Sequence, residues 1–151
     1  MSSSIQITRR TFLHSTGTLV VAAGIPELVL GQATTLPANL NRNPELDNWL
    51  KINSNGSISV SSGKCEIGQG IQTALAQIVA DELDVDINRL QMRNVDTSHS
   101  PNEGGTTGSN SVQQSGSALR VAAADARRLL LEHAASRLGY TVDQLSVDDG
   151  Q

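Results

Sequence analysis

The sequence predicts an α+β fold: a β-hairpin and a further strand packed with two helices, forming an incomplete portion of a larger domain. Three observations carry this. Two short apolar runs flank Asn53-Ser54-Asn55-Gly56, two longer stretches repeat apolar residues at helical spacing, and a further strand-like run lies between those stretches.

Trp49 to Ile52 and Ser57 to Ser62 are the hairpin strands, with Ile58 and Val60 alternating. Asn55-Gly56 is a type I′ turn signal, because both residues tolerate positive φ. From Gly70 to about Leu83, the residues Ile71, Leu75, Ile78, Val79 and Leu83 fall on one stripe, as in an amphipathic helix. Leu90 to Val95 reads as another strand. A second helix spans Ser111 to Leu138, with Ser111 as its N-cap. It offers Leu119, Ala122, Ala123, Ala126, Leu130 and Ala134 for burial. Thr141 to Leu145 reads as one more turn. Asp148-Asp149-Gly150-Gln151 is a turn signal with no second strand behind it, hence the expectation of an incomplete domain.

Ahead of this unit the pattern differs. Thr8-Arg9-Arg10-Thr11-Phe12-Leu13-His14 places paired arginines before Phe-Leu, an apolar stretch from Gly17 to Gly31, and small residues at Gly31 and Ala33. That order predicts a twin-arginine signal over residues 1–33, hence export of a folded protein to the periplasm by the twin-arginine translocation machinery. Such signals are common on cofactor-bearing redox proteins. Residues 34–47 are polar and proline-containing, and read as a linker. Residues 48–151 are the domain.

Without the signal about 118 residues remain, enough for one small domain. Removing Arg9, Arg10 and Glu27 takes the net charge from −4 to −5. With no basic block and only Trp49 and Tyr140 as aromatics, nucleic acid is not an expected partner. Cys65 is the single cysteine, so no internal disulfide or multi-cysteine metal site can form, and a small buried thiol is expected. His99 and His133 lie far apart without partner ligands, and no Ser-His-Asp set can be argued. No metal-ligating and no catalytic residue is therefore assigned.

Two segments carry chemistry. Gly63-Lys64-Cys65-Glu66-Ile67-Gly68-Gln69-Gly70 lies between a strand and a helix. Gly68 and Gly70 let backbone approach a ligand closely, and Gly70 opens a helix whose first N–H groups attract anions. Gln69 brings an amide donor and acceptor without charge. A P-loop would need Lys-Ser or Lys-Thr after its last glycine, where Ile71-Gln72 stands, and the dinucleotide fingerprint lacks its third glycine. The second segment, Ser98 to Ser111, brings Thr107, Gly108, Ser109, Asn110 and Ser111 to the start of the longer helix, a composition that can wrap a phosphate. A structural glycine turn and a flexible capped loop are the bland alternatives. Asp96 to Asn110, fifteen residues without secondary structure, favours a binding loop.

Together these residues resemble the molybdopterin-binding large subunit of the xanthine dehydrogenase and aldehyde oxidase family, of the isoquinoline 1-oxidoreductase beta-subunit type. The resemblance runs from Trp49 to Leu138. It rests on Glu66-Ile67-Gly68-Gln69-Gly70-Ile71-Gln72-Thr73-Ala74, Ala80-Asp81-Glu82-Leu83, Pro101-Asn102, Thr107-Gly108-Ser109-Asn110-Ser111 and Ser115-Gly116. It implies that residues 48–151 are part of a molybdopterin-binding domain. By the same resemblance, the backbone at Gly68 and Gly70 and the side chain of Gln69 contact the pterin near molybdenum. Thr107, Gly108, Ser109, Asn110 and Ser111 hold the pterin or its dinucleotide phosphates, in the cytosine dinucleotide form.

The implied reaction is oxidative hydroxylation of an aldehyde or N-heteroaromatic small-molecule substrate, with water as oxygen source. Electrons leave through [2Fe-2S] clusters in a small iron–sulfur partner subunit. The family's Gly-Glu-Pro glutamate is absent from these 151 residues, so the chain by itself is expected to be inactive. The competing reading is an exported, non-catalytic domain that binds an anion or a partner.

Overall fold

The computed structural model describes residues 36–151. Three short strands form one sheet in the order β1 (Leu50–Ile52), β2 (Ile58–Val60), β3 (Leu90–Met92). β1 and β2 are antiparallel, with Leu50 opposite Val60 and Ile52 opposite Ile58. β2 and β3 are parallel, with Ile58 beside Leu90, because a helix crosses between them. The fold is α+β, as expected.

The hairpin forms, but not through a type I′ turn. Asn53 accepts from the Gly56 N–H at 2.9 Å, and Gly56 has φ 82 while Asn55 keeps a negative φ. This is a three-residue loop, Ser54-Asn55-Gly56, closed by a glycine bulge. The cause is local: the Asn55 side chain accepts from the Ser57 N–H at 3.0 Å and from its hydroxyl at 2.8 Å, an Asx turn.

The stretch read as a linker folds onto the domain from residue 36 onward. It holds helix α1 (Ala38–Arg42), and Leu40 joins the core. Trp49, fully buried, donates its indole N–H to the Asn43 carbonyl at 2.8 Å, which ties the segment down.

Helix α2 (Ile71–Leu83) buries Ile71, Leu75, Ala76, Val79 and Leu83. It packs on helix α3 (Ser117–Leu138), whose inward residues Ala118, Leu119, Ala122 and Ala123 are small enough for close approach. Gly116 belongs to the same seam: a Cβ there would lie 2.9 Å from Ile78 Cδ1. α2 has 13 residues and α3 has 22, so α2 covers only part of α3. Leu130, expected inside, is therefore 49% exposed, and Ala134 is half-buried.

Ser111 is not a cap. It enters a π-helical turn, Ser111–Gly116, that runs straight into α3, and its side chain is buried there. Asn110, ahead of it, already has helical φ and ψ and makes no side-chain cap. At the far end, Asp149 (φ 48) and Gly150 (φ 70) form a type I′ turn, with paired Asp148–Gln151 hydrogen bonds of 3.1 and 3.0 Å.

Candidate functional site

The strand-to-helix connection and the serine-rich loop, which the sequence separates by about forty residues, lie side by side. Their junction is a buried polar cluster. The Glu103 carboxylate accepts from Asn39 Nδ2 at 2.9 Å, the Ser62 hydroxyl at 2.7 Å and the Gly63 N–H at 2.7 Å. Lys64 is 2% exposed, and its ammonium donates to the carbonyls of Glu103 (3.0 Å) and Gly105 (2.9 Å). Three neutral donors satisfy the anion and two carbonyls receive the cation, which is how both charges can sit in the interior. Because Lys64 turns inward, its neighbour turns outward: Cys65 is exposed, not the buried thiol expected, and its N–H donates to Thr106 Oγ1 at 2.9 Å. Gly63 is required at this seam, since a Cβ would fall 2.4 Å from the Pro101 carbonyl oxygen.

Beyond the junction the two segments open into a cleft of about 350 Å3. Gln69, Gly70 and Ile71 line one side, and Thr107, Ser109 and Ser111 the other. Six of the eight site residues expected from sequence therefore line one cleft: Gln69, Gly70, Thr107, Gly108, Ser109 and Ser111. Gly68 and Asn110 are adjacent but outside the lining. Gly68 (φ 95), Gly70 (φ 75) and Gly108 (φ 51) have left-handed backbones, and among the described residues no atom stands within 4 Å of where a Cβ would project. Backbone is thus open to close approach on both sides.

The two sides differ in their free groups. Among the described residues, the N–H groups of Thr107, Gly108 and Ser109 have no hydrogen-bond partner. On the α2 side Glu66 takes three of the donors, while the N–H groups of Gln69 and Thr73 have no hydrogen-bond partner among the described residues. Glu66 Oε1 accepts from the N–H groups of Gly68 (2.8 Å) and Gly70 (3.0 Å), and Oε2 from that of Gln72 (3.1 Å). Those bonds, from Gln72 first, then Gly70 and Gly68, hold the Glu66 carboxyl below the usual carboxylate range. The Gln69 amide is folded onto its own loop, donating to Cys65 O at 2.8 Å and accepting from Ile67 N at 2.6 Å.

From the sequence Glu66 and Glu103 are single acids without a paired carboxylate and Lys64 only a neighbour of Cys65, so none of the three gains a role, and Asn39 is missed. An acid just ahead of a helix start is a readable signal for Glu66. Nothing local marks Asn39 and Glu103 as partners. The π turn adds one unmatched group: the Ser115 hydroxyl is fully buried and has no partner among the described residues. The expected signal over residues 1–33 lies outside the described residues.

A family model for the molybdopterin cofactor-binding domain matches residues 23–151. One of the two relatives most informative here is a component of the nicotinate dehydrogenase of Pseudomonas putida. It is 38% identical over 153 residues, covering 99% of this chain and 13% of that protein. The other, from the isoquinoline 1-oxidoreductase of Brevundimonas diminuta, is 30% identical over 157 residues, covering 97% of this chain and 20% of that protein. The chain thus spans a fifth or less of the length of these relatives. Among solved structures, a Cu,Mo-CO dehydrogenase in its carbon monoxide reduced state matches with TM-score 0.61 and 31% identity. That match covers 66% of this chain and 13% of the other.

Proposed function

Since this chain belongs to the molybdopterin cofactor-binding domain family, we propose that it is the opening part of a molybdenum hydroxylase large subunit and forms one wall of its cofactor site. The observation that carries this is the cleft between Gly70 and Ser109. Its glycines leave room for a flat ring system, and the N–H groups of Thr107, Gly108 and Ser109, free among the described residues, suit phosphate oxygens. The donor set therefore fits the implied group.

Thr107, Gly108, Ser109, Asn110 and Ser111 would hold its phosphate-bearing end, which we assign to the cytosine dinucleotide form. Gly68, Gln69 and Gly70 would face the pterin. When bound, the group supplies two-electron oxidation of a carbon–hydrogen bond of an aldehyde or N-heteroaromatic substrate, with oxygen from water. The chain's own residues bind and orient. The Glu103–Lys64 junction keeps the two walls at fixed separation, and α2 and α3 anchor each wall in the core. The [2Fe-2S] clusters would belong to a small partner subunit. Residues 1–33 would direct the folded protein to the periplasm by the twin-arginine machinery, and the domain would start near residue 36.

Titrating the chain with cytidine diphosphate tests this reading. Saturable amide shifts at Thr107, Gly108 and Ser109 are expected, and an absence of saturable shifts there contradicts it.

A further inference from the structure

We propose that Glu66 sets the polarity of the cleft: it occupies the α2 N-terminus as a built-in anion, so that a ligand's negative end is directed to Thr107–Ser109. This rests on the reading of the cleft given above. It assigns a specificity-determining role to a residue outside the cleft lining.

Every helix N-terminus presents unpaired N–H groups that draw anions, so an empty α2 start would compete with the serine-rich side for phosphate. It is not empty. One carboxylate takes three donors, those of Gly68 and Gly70 just ahead of the helix and of Gln72 in its first turn, at 2.8–3.1 Å, and puts a fixed negative charge beside the Thr73 N–H that stays free among the described residues. The Gln69 side-chain amide closes the loop on the other side through Cys65 and Ile67. A phosphate arriving here would have to displace a carboxylate or stand beside it, and like charges at that distance repel. Across the cleft the situation reverses. Thr107, Gly108 and Ser109 present free N–H groups among the described residues, and no acidic side chain among those residues lines the cleft. The depressed carboxyl keeps the negative charge in place at neutral pH. The α2 side, where the Gln69 and Thr73 N–H groups stay free among the described residues, is left to receive an uncharged, hydrogen-bonding ring edge.

The experiment is an amide-resolved NMR titration of the full 151-residue chain with inorganic pyrophosphate, repeated on Glu66→Gln and Glu66→Ala. In the unaltered chain, Thr107, Gly108 and Ser109 should shift and saturate, while Gly68, Gly70 and Gln72 stay in place. In both variants the latter three should join the response. Glu66→Gln keeps an acceptor for the loop and removes only the charge, so it reports even if Glu66→Ala loosens the turn. A response of Gly68, Gly70 and Gln72 in the unaltered chain would overturn the proposal, as would their silence in both variants. No saturable response at any cleft residue, in any of the three proteins, would instead overturn the reading of the cleft itself.

Discussion

Glu103 accepts the Gly63 N–H at 2.7 Å, so a buried carboxylate from the serine-rich loop closes the connection that leads into α2. Glu103→Ala would leave Asn39 Nδ2, Ser62 Oγ and Gly63 N without their acceptor. The expected cost is about 3 kcal/mol, against about 0.5 kcal/mol or less for Glu132→Ala, which removes only an exposed pair with Arg128. Urea denaturation of both variants checks the contrast.

Gly63 shows the same junction from the backbone side. Gly63→Ala places a Cβ against the Pro101 carbonyl, a backbone atom that cannot swing away. A loss of about 1–3 kcal/mol is expected. The Cys65 N–H, which donates to Thr106, should exchange faster with solvent in the variant. Unchanged exchange would mean that the two walls separate without regard to Gly63.

Helix α3 separates its faces sharply. Leu119 is fully buried against α2, so Leu119→Ala should cost about 2–5 kcal/mol. Leu130 is 49% exposed, and Leu130→Ala should fall within about 0.5 kcal/mol of the parent. Thermal melts decide it, and equal costs would contradict the packing described.

These faces also show what a local reading can and cannot reach. The stripe Ile71, Leu75, Val79, Leu83 is legible because helical burial repeats along a few adjacent turns. Leu130 is not, because its exposure depends on where α2 ends and not on its own neighbours. Asn55-Gly56 marks the hairpin correctly, yet the Asn55 side chain, bonded to Ser57, selects another turn. The cleft is legible because glycines and hydroxyls beside helix starts advertise free N–H groups. Its scaffold is not, since Asn39 and Glu103 meet across 64 residues with no spacing rule to join them.

Glu66 gives a pH dependence. Its carboxyl is held below its ordinary 4.5 in the folded chain by the N–H groups of Gln72, Gly70 and Gly68. The stabilisation it adds to the turn is therefore present above 4.5 and fades as pH falls through the lower folded value. The Gly70 and Gln72 amide resonances should titrate together with a midpoint below 4.5. A midpoint at or above 4.5 would show that the carboxylate does not hold those amides in solution.

Pterin and molybdenum content is the most direct test of the account as a whole. Ser109 is exposed and lines the cleft, so Ser109→Glu adds a charge where phosphate is expected without touching the core. Introduced into the cofactor-loaded protein, it should strip both pterin and molybdenum while leaving the helical circular dichroism intact. Full retention of both in the Ser109→Glu protein would contradict the claim that this cleft holds the cofactor.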